Sequence, residues 1–187
     1  MLKTSSGIYY FNTDLHKSAL DLKDRLVQML YDHNVTGQEI IILCIGSDRS
    51  TGDSLGPLVG YKLNKYQLPN VYVYGTLHDP VHAANLRSKI NQIMTRHQSP
   101  FIIAIDASLG TMEHVGYVTL CDGPLKPGLG VNKELPSVGD IHLTGIVNFS
   151  GMMESLLLQT TRLSKVMNLA DTIAKSILYG LMEFQNR

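Results

Sequence analysis

Apolar residues follow two rhythms along this chain, one fitting strands and the other fitting helices. Ile40–Ile45 is a short continuous apolar run rich in β-branched residues and bounded by Gly46, the signature of a strand buried on both faces. Val71–Tyr74 and Phe101–Ile105 repeat that pattern, and Gly116–Cys121 predicts a fourth such strand. Residues 8–11 suit a short edge strand, and Asp140–Val147 a strand or an extended approach to a helix. Between these runs the period changes to that of a helix. Leu15, Ala19, Leu22, Leu26, Met29 and Leu30 predict an amphipathic helix over about 14–33, ended at Asn34–Gly37. Leu58, Val59, Leu63 and Tyr66 predict one over about 54–66, beginning near Ser54 because Pro57 is accepted only in a helix's first turn. Asp79-Pro80 reads as a cap and first-turn proline for a third, carried by Val81, Leu86, Ile90, Ile93 and Met94 to about His97. A helix opening at Ser150 or Gly151 and a last one opening at Ser164 follow, the latter with Val166, Leu169, Ile173, Ile177 and Leu181 in one stripe. The methionines fall on apolar helix faces, so core filling is their expected role.

Strands alternating with helices of ordinary length predict an α/β fold with a mostly parallel sheet and helices on both faces. No repeat or low-complexity tract interrupts it, and 187 residues suit one domain, 1–187, with a substantial core. The segment Asp122–Gly139 holds Pro124, Pro127, Gly128, Gly130 and Pro136 and reads as a surface loop, one able to gate a site or meet a partner.

Composition narrows the function classes. With 16 basic and 16 acidic residues there is no basic excess or stripe, which argues against a nucleic-acid partner. No signal-peptide core and no run of about 18 apolar residues is present, so no membrane association is expected. Cys44 and Cys121 lie in apolar runs without a Cys-x-x-Cys pattern, and they read as buried thiols of a reducing compartment. A cytoplasmic domain is the expectation.

Three residues are candidates for chemistry. Asp53 lies at or just before a helix start, after the Ile40–Ile45 strand and its polar loop. Open α/β sheets place ligands in that crevice, and a helix cap is the alternative reading. Asp106 follows an apolar strand directly, which puts it at the same edge, a backbone-binding turn being the alternative. If the two strands are neighbours, the carboxylates approach and one pKa rises, giving an acid/base pair that manages a water. Ligation of a hard cation or a transition metal is the other use. His142, after the flexible loop, would complete a His-plus-two-carboxylate set suited to Zn²⁺ or Ni²⁺, or be an ordinary satisfied histidine. His82 is the best of the other histidines for a supporting role at this edge.

Two other motifs weigh less. Gly52-Asp53-Ser54-Leu55 matches the block of esterases that use a nucleophilic serine, here Ser54. Six residues, Ser47–Gly52, separate Asp53 from the strand-closing glycine, and the Gly-x-Asn-Asp block is absent. No phosphate-loop motif is present, although Arg49 beside a helix start could hold an anion.

The strings GSDRSTGDSLGP, IDASLG and PLKPGLGVNKELPSVGDIHLTGIVN, followed by MMESLLLQTTRLSKVMNLA, resemble the YyaC family of sporulation proteins over about 40–175. That family is similar in fold to the spore germination protease and to hydrogenase maturation endopeptidases. The resemblance implies a three-layer α/β/α, phosphorylase/hydrolase-like architecture and a protein or peptide substrate in a sporulating cell or spore. Asp53 in Gly-Asp-Ser-Leu-Gly-Pro and Asp106 in Ile-Asp-Ala match the two catalytic aspartates of the germination protease. Asp53, Asp106 and His142 match the residues that bind the substrate's nickel in the hydrogenase endopeptidases. The resemblance thus leaves two uses, a carboxylate pair and a metal triad. Under that resemblance the chain is expected to be a shorter form, without the germination protease's propeptide region.

Overall fold

A computed structural model describes residues 2–3, 7–128 and 135–186. Its centre is a seven-stranded sheet of β1 (Leu2–Lys3), β2 (Tyr9–Asn12), β3 (Ile40–Cys44), β4 (Val71–Tyr74), β5 (Phe101–Gly110), β6 (Tyr117–Asp122) and β7 (Ile141–Phe149). The spatial order is β1-β2-β6-β7-β5-β3-β4. β4, β3, β5 and β7 are mutually parallel, while β6 and β2 continue the sheet antiparallel. Two reversals return β2 to the common direction, so it joins the four parallel strands and most of the sheet points one way.

The helices are α1 (Ser18–Asp32), α2 (Leu55–Leu63), α3 (Leu86–Arg96), α4 (Glu154–Gln159) and α5 (Leu163–Gln185). Alternation along the buried strands sorts them into layers. Ile40, Ile42 and Cys44 of β3, with Phe101, Ile103 and Ile105 of β5, face one cluster shared with Leu22, Leu26 and Leu30 of α1 and Leu55 and Val59 of α2. The α5 stripe Val166, Leu169, Ile173, Ile177 and Leu181 fills the same layer. Ile41, Leu43, Ile102 and Ala104 face the opposite layer, against Leu86 and Ile93 of α3 and Leu125 and Val138. The result is the three-layer α/β/α arrangement that the two-faced apolar strands demand, since neither face of β3 can be left wet.

The structure revises several expected boundaries. α3 begins at Leu86 rather than at Asp79-Pro80. Val81 is drawn instead into a parallel bridge with Ile45, and the Gly46 N–H donates to the Val81 carbonyl at 2.8 Å. β5 does not stop at Ile105 but runs to Gly110, so Asp106 lies inside a strand rather than in a turn. Asp140–Val147 resolves as a strand, β7, extended to Phe149. Core filling fails for most of the methionines: Met94, Met112, Met152, Met153 and Met182 are exposed, while Met29 is buried. Met112 and Met152 lie outside the α-helices and Met153 takes a left-handed backbone, so the helical period did not apply to them. Of the 122–139 loop, residues 129–134 lie outside the described residues; Leu125 and Val138 pair across its base. Both cysteines are free and buried. Among the described residues no helix is long and apolar enough to cross a membrane.

Candidate functional site

The site begins where β3 ends. Cys44 pairs with Ile105, and the Ile45 N–H donates to the Ile105 carbonyl at 2.7 Å. At Gly46 the chain then turns out of the sheet with φ +140°, a conformation L-residues rarely adopt. A Cβ at Gly46 would stand 2.0 Å from the Asp53 carbonyl oxygen, so only glycine permits this approach. The loop returns through a single 3₁₀ turn, Gly52–Ser54, into α2. Gly56, the second residue of α2, lies so close to β3 that a Cβ there would sit 2.0 Å from the Ile45 carbonyl oxygen. These two contacts press Asp53 against the end of β3, and the Ser47 N–H donates to the Asp53 backbone carbonyl at 3.1 Å.

β5 continues past the last residue of β3, with Asp106 one residue beyond Ile105. A cleft of about 270 Å³ opens there, and both Asp53 and Asp106 line it. His82 also lines it, held in a compact turn. Its N–H donates to Asn85 Oδ1 at 2.8 Å, and Asn85 Nδ2 donates to the Pro80 carbonyl at 3.0 Å. Against the 3₁₀ turn that carries Asp53 packs α4, tied down by Asn148, whose Nδ2 donates to the Leu157 carbonyl at 2.9 Å. Leu158 of α4 reaches the cleft, and Leu125, Pro127 and Leu135 line its other side. A row of hydroxyls runs beneath: Ser108 Oγ donates to Thr144 Oγ1 at 3.2 Å, and Thr144 shares a 2.7 Å bond with Thr119.

Asp106 is 8% exposed. Burial raises its pKa well above the usual carboxylate range, and the neighbouring charge of Asp53 raises it further, against one 2.8 Å bond from the Ala107 N–H. Burial raises the Asp53 pKa too, the Ser47 backbone N–H and the charge of His82 offsetting part of that rise. The environments therefore separate the pair, Asp106 holding its proton more tightly than Asp53. Neither N-cap residue of this stretch, Thr51 or Ser54, makes a side-chain capping bond, and Asp53 is not itself an N-cap.

His142 is not brought to the carboxylates. It pairs in register with Ala104, two residues back along the sheet from the Asp106–Thr144 pair. Its Nδ1 bonds the Gly123 carbonyl at 2.8 Å, and it is not among the residues lining the cleft. Asp53 and Asp106 offer two oxygen donors, but among the described residues no group of three His, Cys, Asp or Glu side chains is placed to hold a metal ion. The donor set of the described residues does not make a resident Ni²⁺ or Zn²⁺ site. Ser54, the candidate esterase nucleophile, is buried, donates its hydroxyl to the Thr51 carbonyl at 2.6 Å and lies outside the cleft lining.

No local pattern announces the hydroxyl row or α4 as a wall of the cleft. Ser108 and Thr144 are unremarkable in any local pattern, and only the β5–β7 register aligns them. His82 was readable as a residue near this sheet edge, although it lies in the turn before α3, its N–H bonded to Asn85 Oδ1, rather than in a first helical turn.

Comparison with known proteins is consistent with this architecture. The chain is 58% identical over 141 residues to the uncharacterized protein YyaC of Bacillus subtilis strain 168, covering 75% of this chain and 69% of the relative. Its fold is similar to the crystal structure of HycI, a [NiFe] hydrogenase maturation protease from Thermococcus kodakarensis KOD1, with a TM-score of 0.54 and 15% identity. That similarity covers 87% of this chain and 99% of the other, and at this identity it speaks for the fold alone. Residues 10–176 match the family described as Protein of unknown function (DUF1256), and the chain belongs to that family.

Proposed function

We propose that this protein is a peptidase-like hydrolase in which Asp53 and Asp106 cleave an amide bond of a protein or peptide substrate. The observation that carries the reading is the pair of carboxylates in one cleft whose surroundings push their protons apart. The maturation protease with a similar fold supports peptidase chemistry as the class.

The division of labour follows from the electrostatics. Asp106, buried and beside a second carboxylate, stays protonated and donates a hydrogen bond to the carbonyl oxygen of the scissile amide. Asp53, which the Ser47 N–H and His82 favour as the anion, accepts a proton from water as that water attacks the carbonyl carbon. The resulting tetrahedral oxyanion is neutralised by the Asp106 proton. Asp53 then returns its proton to the departing nitrogen, and Asp106 is reprotonated from the carboxylic acid product or from solvent. General acid–base work of this kind contributes about 10²–10⁴-fold per group. Activity in the cytoplasm of a sporulating cell is the setting that the sequence resemblance suggests.

The test is to incubate protein extracts of sporulating cells with wild type, Asp53→Asn and Asp106→Asn, and to identify new chain termini by mass spectrometry. Termini generated by wild type and lost by at least about 10²-fold in both variants are expected. Equal cleavage by all three proteins ends the proposal.

A further inference from the structure

The cleft occupies the track that β3 would have followed had it not turned away at Gly46. On one side of that track β5 runs on alone. Along β5 the even-numbered residues turn their peptide groups toward β7, since the Ile102 carbonyl accepts from the Asp140 N–H and the Gly110 carbonyl from the Ser150 N–H, at 2.8 and 2.7 Å. Odd-numbered residues therefore face β3, as the Ile105 carbonyl does when it accepts from Ile45. Register with β3 ends at Ile105. Beyond it the Ala107 carbonyl and the Leu109 N–H point along the vacated track, with no strand beside them among the described residues. Ala107 and Leu109 both line the cleft. The Ala107 N–H has been withdrawn from the ladder to the Asp106 carboxylate.

We infer that the substrate is an extended segment of polypeptide that adds to this free edge of β5 as a short parallel strand in line with β3. This assignment rests on the hydrolase reading for the same site and names how its substrate is held. In a parallel ladder one residue spans two bonds on its neighbour. That residue of the substrate donates its N–H to the Ala107 carbonyl and accepts from the Leu109 N–H. Running in the direction of β3, the chain N-terminal to the clasped residue passes beside Asp106, so the scissile bond lies on the N-terminal side of the clasp. Successive substrate side chains point to opposite faces, toward Leu158 on one and toward Leu125, Pro127 and Leu135 on the other. These apolar side chains stand beside Glu154 on the α4 side and Lys126 on the loop side, and the recognised segment accordingly carries apolar side chains at the positions flanking the clasp. Backbone bonds supply affinity and the alternating pockets supply selectivity, as in other strand-addition sites. The other side of the track offers no second edge, because the His82 carbonyl is taken by the Asn85 and Leu86 N–H groups at 3.0 and 2.9 Å.

The experiment uses a pool of acetylated, amidated octapeptides of random sequence, retained on the full-length Asp53→Asn protein and identified by mass spectrometry. The best binder is then resynthesised with single backbone N-methyl groups at successive residues, and each affinity is measured by calorimetry. One residue whose methylation weakens binding at least 10-fold, with its two neighbours changing less than about 3-fold, is expected. Uniform tolerance, uniform loss, or no peptide retained above an unrelated control protein overturns strand addition. The methylation pattern without hydrolysis of the parent peptide by wild type would leave strand addition standing and remove the hydrolase reading. Hydrolysis without the pattern would do the reverse.

Discussion

Asp106→Asn isolates the electrostatic cost of the site. The side chain is 8% exposed, its raised pKa comes first from burial and then from Asp53, and asparagine is close to isosteric and still accepts the Ala107 N–H. An unfolded aspartate titrates near about 3.9. Between that value and the raised folded value the native protein holds a proton that the unfolded chain has released. The native state binds more protons across this window, so stability is fully present below the unfolded pKa and falls as pH rises toward the folded one. One proton carries a slope of at most about 1.4 kcal/mol per pH unit. Asp106→Asn removes the slope, so the variant gains on wild type by up to that amount per unit as pH increases. Asp53 does not confuse the comparison, because its shift arises from burial, Ser47 and His82, which the variant retains. Urea unfolding of both proteins, followed by circular dichroism from about pH 4.5 to 8, measures the difference. A stability difference between variant and wild type that stays constant with pH, or that shifts in favour of wild type as pH rises, refutes the claim that Asp106 is held protonated.

Three further outcomes are expected. Gly56→Ala places a methyl group 2.0 Å from the Ile45 carbonyl oxygen, and the displaced helix should cost about 1–3 kcal/mol, read as a lower Tm; an unchanged Tm would show that α2 does not depend on that contact. His142→Ala should lose about 1 kcal/mol with its Gly123 bond and leave amide cleavage within about twofold of wild type, whereas a loss near 10²-fold would return His142 to the site. His82→Ala removes a charge that lowers the Asp53 pKa, so the acid limb of the kcat/KM profile should move to higher pH, and an unmoved limb would separate His82 from the base.

The layers of this protein were legible in its sequence because burial on two faces leaves a local trace. Ile40–Ile45 and Phe101–Ile105 have no polar face to offer solvent, and that alone calls for helices on both sides of a parallel sheet. Asp106 was legible for a related reason, as a carboxylate directly after such a run, and Asp53 as a carboxylate at a helix start beyond the other run's polar loop. Alternation along one strand says nothing about which strand lies beside it, so the neighbourhood of β3 and β5, and with it the approach of the two carboxylates, is a matter of tertiary pairing. The same holds for His142. Its sequence context suited a third ligand, but the register of β7 set it opposite Ala104, two residues short of Asp106, where its ring bonds Gly123. The cleft itself arises because β3 stops at Gly46 while β5 continues to Gly110. That difference in length is written in no single segment, only in the packing of α2 against the end of β3.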